Sequence, residues 1–279
     1  MKTGLILEGG GMRGLYTAGI LDVLLDNEIH FDGVIGVSAG AIHGCSYVSE
    51  QKGRSIRYYR EYYNDPRFMS FKNLITTGDF VGEEFCYHEL PEKLDIYDYD
   101  AFNKSETKFY VGITNLETGK AEYPLLTDML KEIDYIRASA SLPYFSKPVD
   151  LNGQPYLDGG CSDSVPIDAF MDMGYDRNII VLTRPEGYRK KAENSAMIAA
   201  AYRKYPEFVK ALSNRHIEYN KTMRKIEQME KEGKVLVIRP RDPLAIGRLE
   251  NDIEKIQRVY NIGYADGVRA VNDIKGFLK

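Results

Sequence analysis

Twice within its first 50 residues, the chain runs from a short apolar segment through a glycine-containing turn into a segment with apolar residues at helical spacing. The first copy is "GLILEG" (4–9) followed by residues 12–26, and the second is "FDGVIGV" (31–37) followed by residues 39–50. Short apolar runs predict buried strands, and this order with short links predicts parallel strands joined by right-handed crossovers. We therefore expect an α/β fold in which both strands end at one edge of a sheet.

The later segments extend this pattern and divide the chain into two regions. Strands are predicted at 108–124 with a turn at 117–119, on either side of a hairpin turn at Asn152-Gly153, at 178–184 and at 234–240. Helices are predicted at 54–63, 127–141, 166–174, 196–233 with a break near Pro206, and 249–272. Residues 1–185 are expected to form the core. Residues 186–279 are expected to form a helical extension, with one added strand, packed on that core.

Residues 53–100 are rich in tyrosine and carry turn residues and scattered aromatics, and we interpret them as a cap-like insertion. Tyrosine combines a large apolar ring with a polar edge. The aromatic residues of the insertion therefore fit either a lipid-facing cover or internal packing, and the sequence leaves both open.

The second turn reads "GVSAG" (36–40), a GxSxG motif between a strand and a helix. In that position the motif is typical of a nucleophilic serine, because a tight strand-to-helix turn exposes its hydroxyl at the edge of the sheet. Gly36 and Gly40 fit this interpretation, since side chains two positions from Ser38 would crowd the turn. The following helix points its N-terminus at Ser38, where its dipole favours negative charge. The alternative is that Ser38 only caps the helix that begins at Ala39.

The first turn, "GGGMRG", allows two interpretations. Gly9, Gly11 and Gly14 match the GxGxxG of a dinucleotide-binding turn, which requires an acidic residue at the end of the second strand. Asp32 has about the right spacing but precedes that strand, so we expect it at the opposite edge of the sheet. Ser38 occupies the required position instead. This favours a loop whose backbone N–H groups stabilise an oxyanion beside a nucleophilic serine.

A serine nucleophile needs a base, and the four histidines are poorly placed for that role. His30 precedes the second strand, and His43 lies on a different face of the helix that follows Ser38. His88 falls in the irregular insertion, and His216 falls in a charged helix. A Ser-Asp-His order through His216 stays open.

Asp158, in "YLDGG", is the better candidate for the base. It follows a short strand, and the two glycines after it allow an exposed, permissive turn. The alternative is an ordinary turn aspartate, which Asp-Gly sequences usually are.

Composition excludes several classes of protein. The formal net charge of −4 argues against general nucleic-acid binding, and no apolar run reaches the length of a membrane span. The three cysteines are far apart, which argues against a disulfide framework or a zinc site and fits a reducing cytoplasm. The N-terminal apolar run is only four residues long, so we expect a cytoplasmic protein rather than a secreted one. Peripheral contact with a membrane stays open, as does the oligomeric state.

Three motifs in order, "GGGMRG", "GVSAG" and "DGG", resemble those of the patatin-like phospholipases. The stretch "ASASLPYFSKPVDLNGQPYLDGG" (138–160) also resembles that family's approach to its aspartate, and the resemblance covers about residues 4–185. It implies a three-layer α/β/α fold with a mostly parallel central sheet, a cap-like insertion and a helical C-terminal extension. It also implies acyl hydrolysis by a Ser–Asp dyad, with no histidine, no metal and no cofactor.

Carried over residue by residue, the resemblance implies that Ser38 is the nucleophile and Asp158 its partner. It implies that the amides of Gly10, Gly11 and Met12 form the oxyanion hole. The remaining motif residues would support these groups: Gly9, Arg13, Gly14, Gly36, Gly40, Gly159 and Gly160. One departure is "CSDSVP" after the second glycine of "DGG", where the family's asparagine-rich turn is missing.

The function hypothesis is a serine acyl hydrolase that acts on a lipid or another acyl ester. Two alternatives remain at this point. One is an esterase of the α/β-hydrolase type with a Ser-Asp-His triad, although the GxSxG turn of that fold usually follows several strands rather than one. The other is a non-catalytic module that binds a nucleotide or a lipid and in which Ser38 never reacts.

Overall fold

The computed structural model describes residues 1–279 and contains nine strands. They are β1 (Lys2–Leu7), β2 (Gly33–Val37), β3 (Lys108–Asn115), β4 (Ala121–Glu122), β5 (Leu125–Leu126), β6 (Val149–Leu151), β7 (Gln154–Asp158), β8 (Tyr175–Val181) and β9 (Val235–Ile238). They form one mixed sheet in the order β6-β7-β3-β2-β1-β8-β9, with β4 and β5 paired to β3 outside this path. The strands β3, β2, β1, β8 and β9 are parallel, which confirms the predicted arrangement.

The ten α-helices are α1 (Gly14–Asp26), α2 (Ala39–Val48), α3 (Arg54–Tyr62), α4 (Phe71–Thr77), α5 (Tyr99–Lys104), α6 (Met129–Ala140), α7 (Ile167–Asp172), α8 (Ser195–Ala201), α9 (Pro206–Lys231) and α10 (Ile253–Leu278). The helices cover both faces of the sheet. Successive side chains of a strand point to opposite faces, so both faces carry apolar residues that helices bury. Leu5 and Leu7 of β1 pack in the cluster formed with α1, α2 and α10. Ile6 packs in the cluster formed with α7 and α9. The predicted three-layer α/β/α fold is thus confirmed.

The register of the sheet brings two distant turns together. Val37, the last residue of β2, is paired with Gly112 of β3. The next residue of β3, Ile113, is paired in antiparallel register with Asp158, the last residue of β7. The hairpin that delivers Asp158 turns at Asn152-Gly153, as predicted, with φ of 55° and 81°. The residue after Val37 and the end of β7 therefore meet at one edge of the sheet.

The C-terminal region is built onto this sheet. The strand β9 pairs with β8 in parallel, so the predicted return of the strand at 234–240 is confirmed. Helix α10 packs along α1, where the Tyr16 hydroxyl donates to Asp266 at 2.8 Å and the Tyr260 hydroxyl donates to Asp22 at 2.6 Å. None of the helices combines the length and the apolar character needed to cross a bilayer.

The insertion is helical, with α3, α4, α5 and a wider π-helical segment at Phe85–Leu94. Pro91 lies inside that segment, where it cannot donate a backbone hydrogen bond to a regular α-helical turn.

The aromatic rings of the insertion are mostly buried and meet edge to face, as Tyr59 and Phe68 do at a centroid distance of 5.2 Å. Most of the aromatic residues of the insertion therefore serve internal packing. Phe71, on α4, is an exception and is exposed.

Candidate active site

Ser38 lies in a strained turn between β2 and α2, with φ 56° and ψ −124°. The turn is tight enough that a side chain at Gly36 would lie 2.6 Å from the Ala41 amide nitrogen, and one at Gly40 would overlap the Leu7 carbonyl oxygen. The sequence argument for both glycines is therefore confirmed. The Ser38 hydroxyl makes no capping hydrogen bond to α2, so the interpretation of Ser38 as a helix cap is wrong.

A second serine holds this turn in place. The Ser38 amide donates to Ser139 Oγ at 2.8 Å, and the Ser139 hydroxyl donates to the Gly112 carbonyl oxygen at 2.6 Å. Ser139 is fully buried near the end of α6. It therefore links three elements, β2, β3 and α6, at the point where the strained backbone needs support.

We expect Ser139→Ala to lower the free energy of unfolding by about 1–3 kcal/mol, because a buried amide and a buried carbonyl lose their partner. Activity should fall as well, since the turn would no longer be fixed. The control is Ser141→Ala, whose hydroxyl donates only to the Arg137 carbonyl of α6. Urea unfolding followed by circular dichroism measures both variants, and equal, small effects would contradict a special role for Ser139.

Asp158 is 3% exposed and ends β7 beside the Ser38 turn. Its Oδ1 accepts a hydrogen bond from the Gly160 amide at 2.7 Å, while its Oδ2 is buried without a hydrogen-bond partner. Burial raises the pKa of this carboxyl; the Ser38 hydroxyl and the Arg215 guanidinium oppose that shift by stabilising the charged form. Asp158 is therefore a buried carboxyl with one oxygen free of hydrogen bonds, at the sheet edge where the Ser38 turn lies, and not an exposed turn residue.

None of the four histidines lines either of the cavities beside Ser38. His43 is buried in the core, where its Nδ1 lies 2.9 Å from Ser55 Oγ and desolvation lowers its pKa to about 3. His216 Nδ1 lies 3.1 Å from the carbonyl oxygen of Ser213, on its own helix. The geometry gives no support to a Ser-Asp-His triad.

The glycine loop lies against the Ser38 turn, as predicted. A side chain at Gly9 would come within 2.8 Å of Ser38 Cβ. The Gly10 and Gly11 amides donate no hydrogen bond within the chain. The Met12 amide, predicted as a third oxyanion donor, instead donates to the Arg248 carbonyl oxygen at 3.2 Å. Two of the three predicted donors are therefore free in this arrangement.

The loop is anchored from behind by Glu8, which is 3% exposed. Its two carboxylate oxygens accept hydrogen bonds from the Tyr219 hydroxyl at 2.7 Å and from the Thr183 amide at 2.6 Å.

Asp32 lies at the far edge of the sheet, as predicted, and accepts a hydrogen bond from the Thr3 amide at 2.6 Å. The acidic residue that a dinucleotide site requires is therefore on the wrong side of the sheet.

The supporting residues of "GGGMRG" and "DGG" pack around the Ser38 turn and Asp158. The Arg13 side chain is buried, and its pKa is lowered to about 10, chiefly by desolvation and then by the neighbouring Arg184. Gly14 faces Ala39 at the start of α2. Gly159 and Gly160 form the turn after Asp158, and side chains there would overlap the Gly112 carbonyl oxygen and approach an Arg215 nitrogen at 3.1 Å, respectively.

Two cavities of opposite character meet at Ser38. One is apolar, with 20 hydrophobic residues among 25, and lies under the insertion between α2 and α6. The other is polar, with 4 hydrophobic residues among 20, and contains Asp158 and the glycine loop. Both include Ser38, Gly11, Leu142 and Arg248. The hydroxyl thus faces an apolar space on one side and a charged space on the other.

Several residues of this site were not identified from the sequence. Ser139 lies in "ASAS", part of the stretch that resembles the family, and that resemblance assigns the serine no role. The C-terminal region supplies Lys190, Arg215 and Arg248. In the sequence these are charged residues of helices and loops like many others. No local pattern distinguishes them, since only the packing of α9 and of the segment before α10 brings them to the site.

Comparisons with known proteins find family models for both regions of the chain. A family model described as patatin-like phospholipase matches residues 5–171, and one described as a domain of unknown function (DUF6363) matches residues 205–279. Uncharacterized protein YjjU of Escherichia coli strain K12 is 31% identical over 196 residues, which are 66% of this chain and 52% of that protein. Lysophospholipase nte1 of Aspergillus niger is 25% identical over 291 residues, which are 98% of this chain and 18% of that protein.

The chain thus spans about half the length of the E. coli relative and under a fifth of the length of the fungal one. Among solved structures, the crystal structure of VipD from Legionella pneumophila aligns with a TM-score of 0.47 and 12% identity. That alignment covers 98% of this chain and 67% of the other.

Proposed function

The chain belongs to the patatin-like phospholipase family, and on that premise we propose that it is a serine acyl hydrolase with a lipid-like ester substrate. The observation that carries the proposal is the strained Ser38 turn beside the buried, half-unpartnered carboxylate of Asp158. Relatives named lysophospholipase support a lipid substrate for this chain.

In the proposed mechanism, Asp158 accepts the proton of Ser38 as the serine oxygen attacks the ester carbonyl carbon. The free amides of Gly10 and Gly11 donate hydrogen bonds to the oxyanion of the tetrahedral intermediate, and each such donor typically contributes about 3–4 kcal/mol. The proton passes from Asp158 to the departing alcohol, which leaves an acyl-enzyme on Ser38. Asp158 then takes a proton from water, whose oxygen attacks the acyl carbon, and passes that proton to the Ser38 oxygen as the fatty acid leaves.

Burial makes this use of an aspartate physically reasonable. A free aspartate, with a reference pKa near ~3.9, is a weak base at neutral pH. Desolvation raises the pKa of Asp158 and so strengthens it as a proton acceptor, while Arg215 and the Gly160 amide keep the ionised form accessible. The unpartnered Oδ2 is the oxygen that we assign to the serine proton.

We assign the acyl chain to the apolar cavity, because 20 of its 25 lining residues are hydrophobic. Ala140, at the end of α6, lines it together with Ile42 and Ile133. The head group or alcohol portion then extends into the polar cavity, on the side of Asp158.

Ala140→Phe is expected to lower kcat/KM for a long-chain ester by about tenfold or more, because a phenyl ring occupies space otherwise filled by several methylene groups. The effect on an acetyl ester should be several-fold smaller. Hydrolysis of p-nitrophenyl esters of two to twelve carbons measures the chain-length profile. Leu130→Phe, on the exposed face of the same helix, is the control, and an unchanged profile in Ala140→Phe would contradict this assignment.

We also propose that α4 of the insertion contacts a lipid surface, since Phe71 is 64% and Ile75 85% exposed on it. Exposed apolar groups of this kind are typical of membrane or protein contact. Sedimentation with phosphatidylcholine vesicles tests this, and the double variant Phe71→Ser, Ile75→Ser should bind them more weakly than the parent protein. Equal binding would reject the contact.

The proposed function is tested by incubating the purified protein with a soluble p-nitrophenyl ester and with a monoacyl phospholipid. Release of nitrophenol and of fatty acid in the parent protein, and not in Ser38→Ala, is the expected result. No hydrolysis of any ester would favour a lipid-binding module in which Ser38 does not react.

For the C-terminal region, we propose that residues 186–279 form part of the catalytic domain, because they supply Arg215 and Arg248 to the site.

A further inference from the structure

The polar cavity beside Ser38 contains more positive charge than the hydrolytic mechanism uses. Two of its cations are neutralised by carboxylates: Arg189 pairs with Glu227 at 2.7 Å, and Arg215 pairs with Glu193 at 3.6 Å. The cations that line the cavity with no carboxylate within ion-pair distance are Arg13, Arg184, Lys190, Lys191 and Arg248. They outnumber the remaining carboxylates of the cavity, Glu8 and Asp158.

Lys190 is held rigidly in this wall. Its backbone amide donates to Asn220 Oδ1 at 2.8 Å, and Asn220 Nδ2 donates to its carbonyl oxygen at 3.0 Å. The ammonium group lies 4.3 Å from the centre of the Tyr219 ring and makes no ion pair. Burial and the nearby Arg215 lower the pKa of Lys190 to about 7. This lysine is therefore a positioned amine with no carboxylate partner, and a bound anion would favour its charged form.

Two arginines on neighbouring segments complete the cluster. The Arg13 side chain is 8% exposed, and its Nε is buried with no hydrogen-bond acceptor. The Arg184 guanidinium lies 4.3 Å from the centre of the Tyr188 ring. Crowded, desolvated cations destabilise one another, and an anion that binds among them relieves this cost. Guanidinium groups suit phosphate in particular, because they donate paired hydrogen bonds to its oxygens.

The same geometry disfavours a quaternary ammonium head group. Aromatic faces are the usual binding surface for such groups, and the cavity has two tyrosines, Tyr188 and Tyr219. Arg184 and Lys190 already occupy the faces of these rings. A choline group would therefore meet fixed positive charge instead of an open aromatic face.

We infer that the cavity binds a phosphomonoester on the alcohol portion of the substrate, so that the preferred substrate is an acylated glycerol phosphate. This rests on the proposed acyl hydrolase function, whose acyl chain lies in the apolar cavity. A phosphomonoester carries up to two negative charges at neutral pH and three acceptor oxygens, which suits the unpaired cations better than a zwitterionic phosphodiester.

The test measures binding without turnover. Ser38→Ala protein is titrated calorimetrically with 1-hexanoyl glycerol 3-phosphate and with 1-hexanoyl glycerophosphocholine, which share the acyl chain. We expect the phosphomonoester to bind at least about tenfold more tightly, because it offers the cations a second negative charge and a third terminal acceptor oxygen that the phosphodiester of the other lipid lacks. Adding Lys190→Met should weaken phosphomonoester binding about tenfold and bring the two dissociation constants together.

Lys221→Met is the matched control, since Lys221 is 76% exposed and lies outside the cavity; it should leave the preference intact. If Lys190→Met fails to fold, as judged by circular dichroism, Arg184→Gln replaces it with the same expectation. Equal affinities for the two lipids in the Ser38→Ala background overturn the inference. So does tight binding of inorganic phosphate without a lipid preference, which would mark a site for the free anion.

The two proposals fail in distinguishable ways. A preference for the phosphomonoester in binding, combined with no hydrolysis of any ester by the parent protein, contradicts the hydrolase function alone. Hydrolysis of both lipids, combined with no preference in binding, contradicts the head-group inference alone.

Discussion

Replacing Ser38 by alanine is expected to reduce kcat/KM for ester hydrolysis by at least about a thousandfold, as loss of a catalytic nucleophile does in serine hydrolases. The fold should persist, because the Ser38 hydroxyl caps no helix and the Ser38 amide keeps its bond to Ser139. Hydrolysis of p-nitrophenyl butyrate and a thermal melt measure the two properties on the same preparation.

The matched control for this variant is Ser46→Ala, on the same helix α2. Ser46 is also buried, and its hydroxyl has no hydrogen-bond partner. We expect this control to keep both activity and stability. Ser38→Ala protein that is folded and retains activity comparable to the parent would remove Ser38 from the mechanism.

Asp158→Asn is expected to reduce kcat by a similar factor, at least about a thousandfold, because an amide cannot accept the serine proton. The variant should be as stable as the parent at neutral pH or more stable. Desolvation is the largest influence on this carboxyl and raises its pKa in the folded state. The free energy of unfolding therefore rises as the pH falls through that pKa. Above that pKa the folded protein holds a desolvated negative charge, which lowers the free energy of unfolding.

The pH profile follows from the same pKa. Asp158 must be ionised to act as a base, so kcat/KM for an uncharged ester should fall on acidification, through a pKa above the usual value for aspartate. Asp163→Asn is the matched control, since Asp163 is a half-buried carboxyl in the same turn that accepts a hydrogen bond from the Tyr123 hydroxyl at 2.6 Å. His216→Ala should keep nearly full activity, and a thousandfold loss there would restore the triad hypothesis.

The architecture of the site could be predicted where local patterns carry it. Apolar runs followed by glycine turns indicated β1, β2 and their shared edge, and the hairpin at Asn152-Gly153 indicated how the chain reaches Asp158. These signals are local, because the conformational preferences of glycine and the period of buried residues act within a few positions of the chain.

The electrostatic environment of the site could not be predicted in the same way. The Met12 amide matched a motif, yet its bond to the Arg248 carbonyl depends on a segment more than 200 residues away. Lys190 lies in a short charged stretch, "RKK" (189–191), which matches no motif, and its position in the cavity follows from its contacts with Asn220 and Tyr219 on α9. Such features arise from tertiary packing, which no short pattern encodes.

The most direct test of the central claim, that Asp158 activates Ser38, is covalent labelling with a fluorophosphonate followed by intact-mass and peptide analysis. The account predicts one adduct per chain, located on Ser38, with no adduct in Ser38→Ala and much slower labelling in Asp158→Asn. Labelling at another residue, or a labelling rate in Asp158→Asn equal to that of the parent protein, would contradict it.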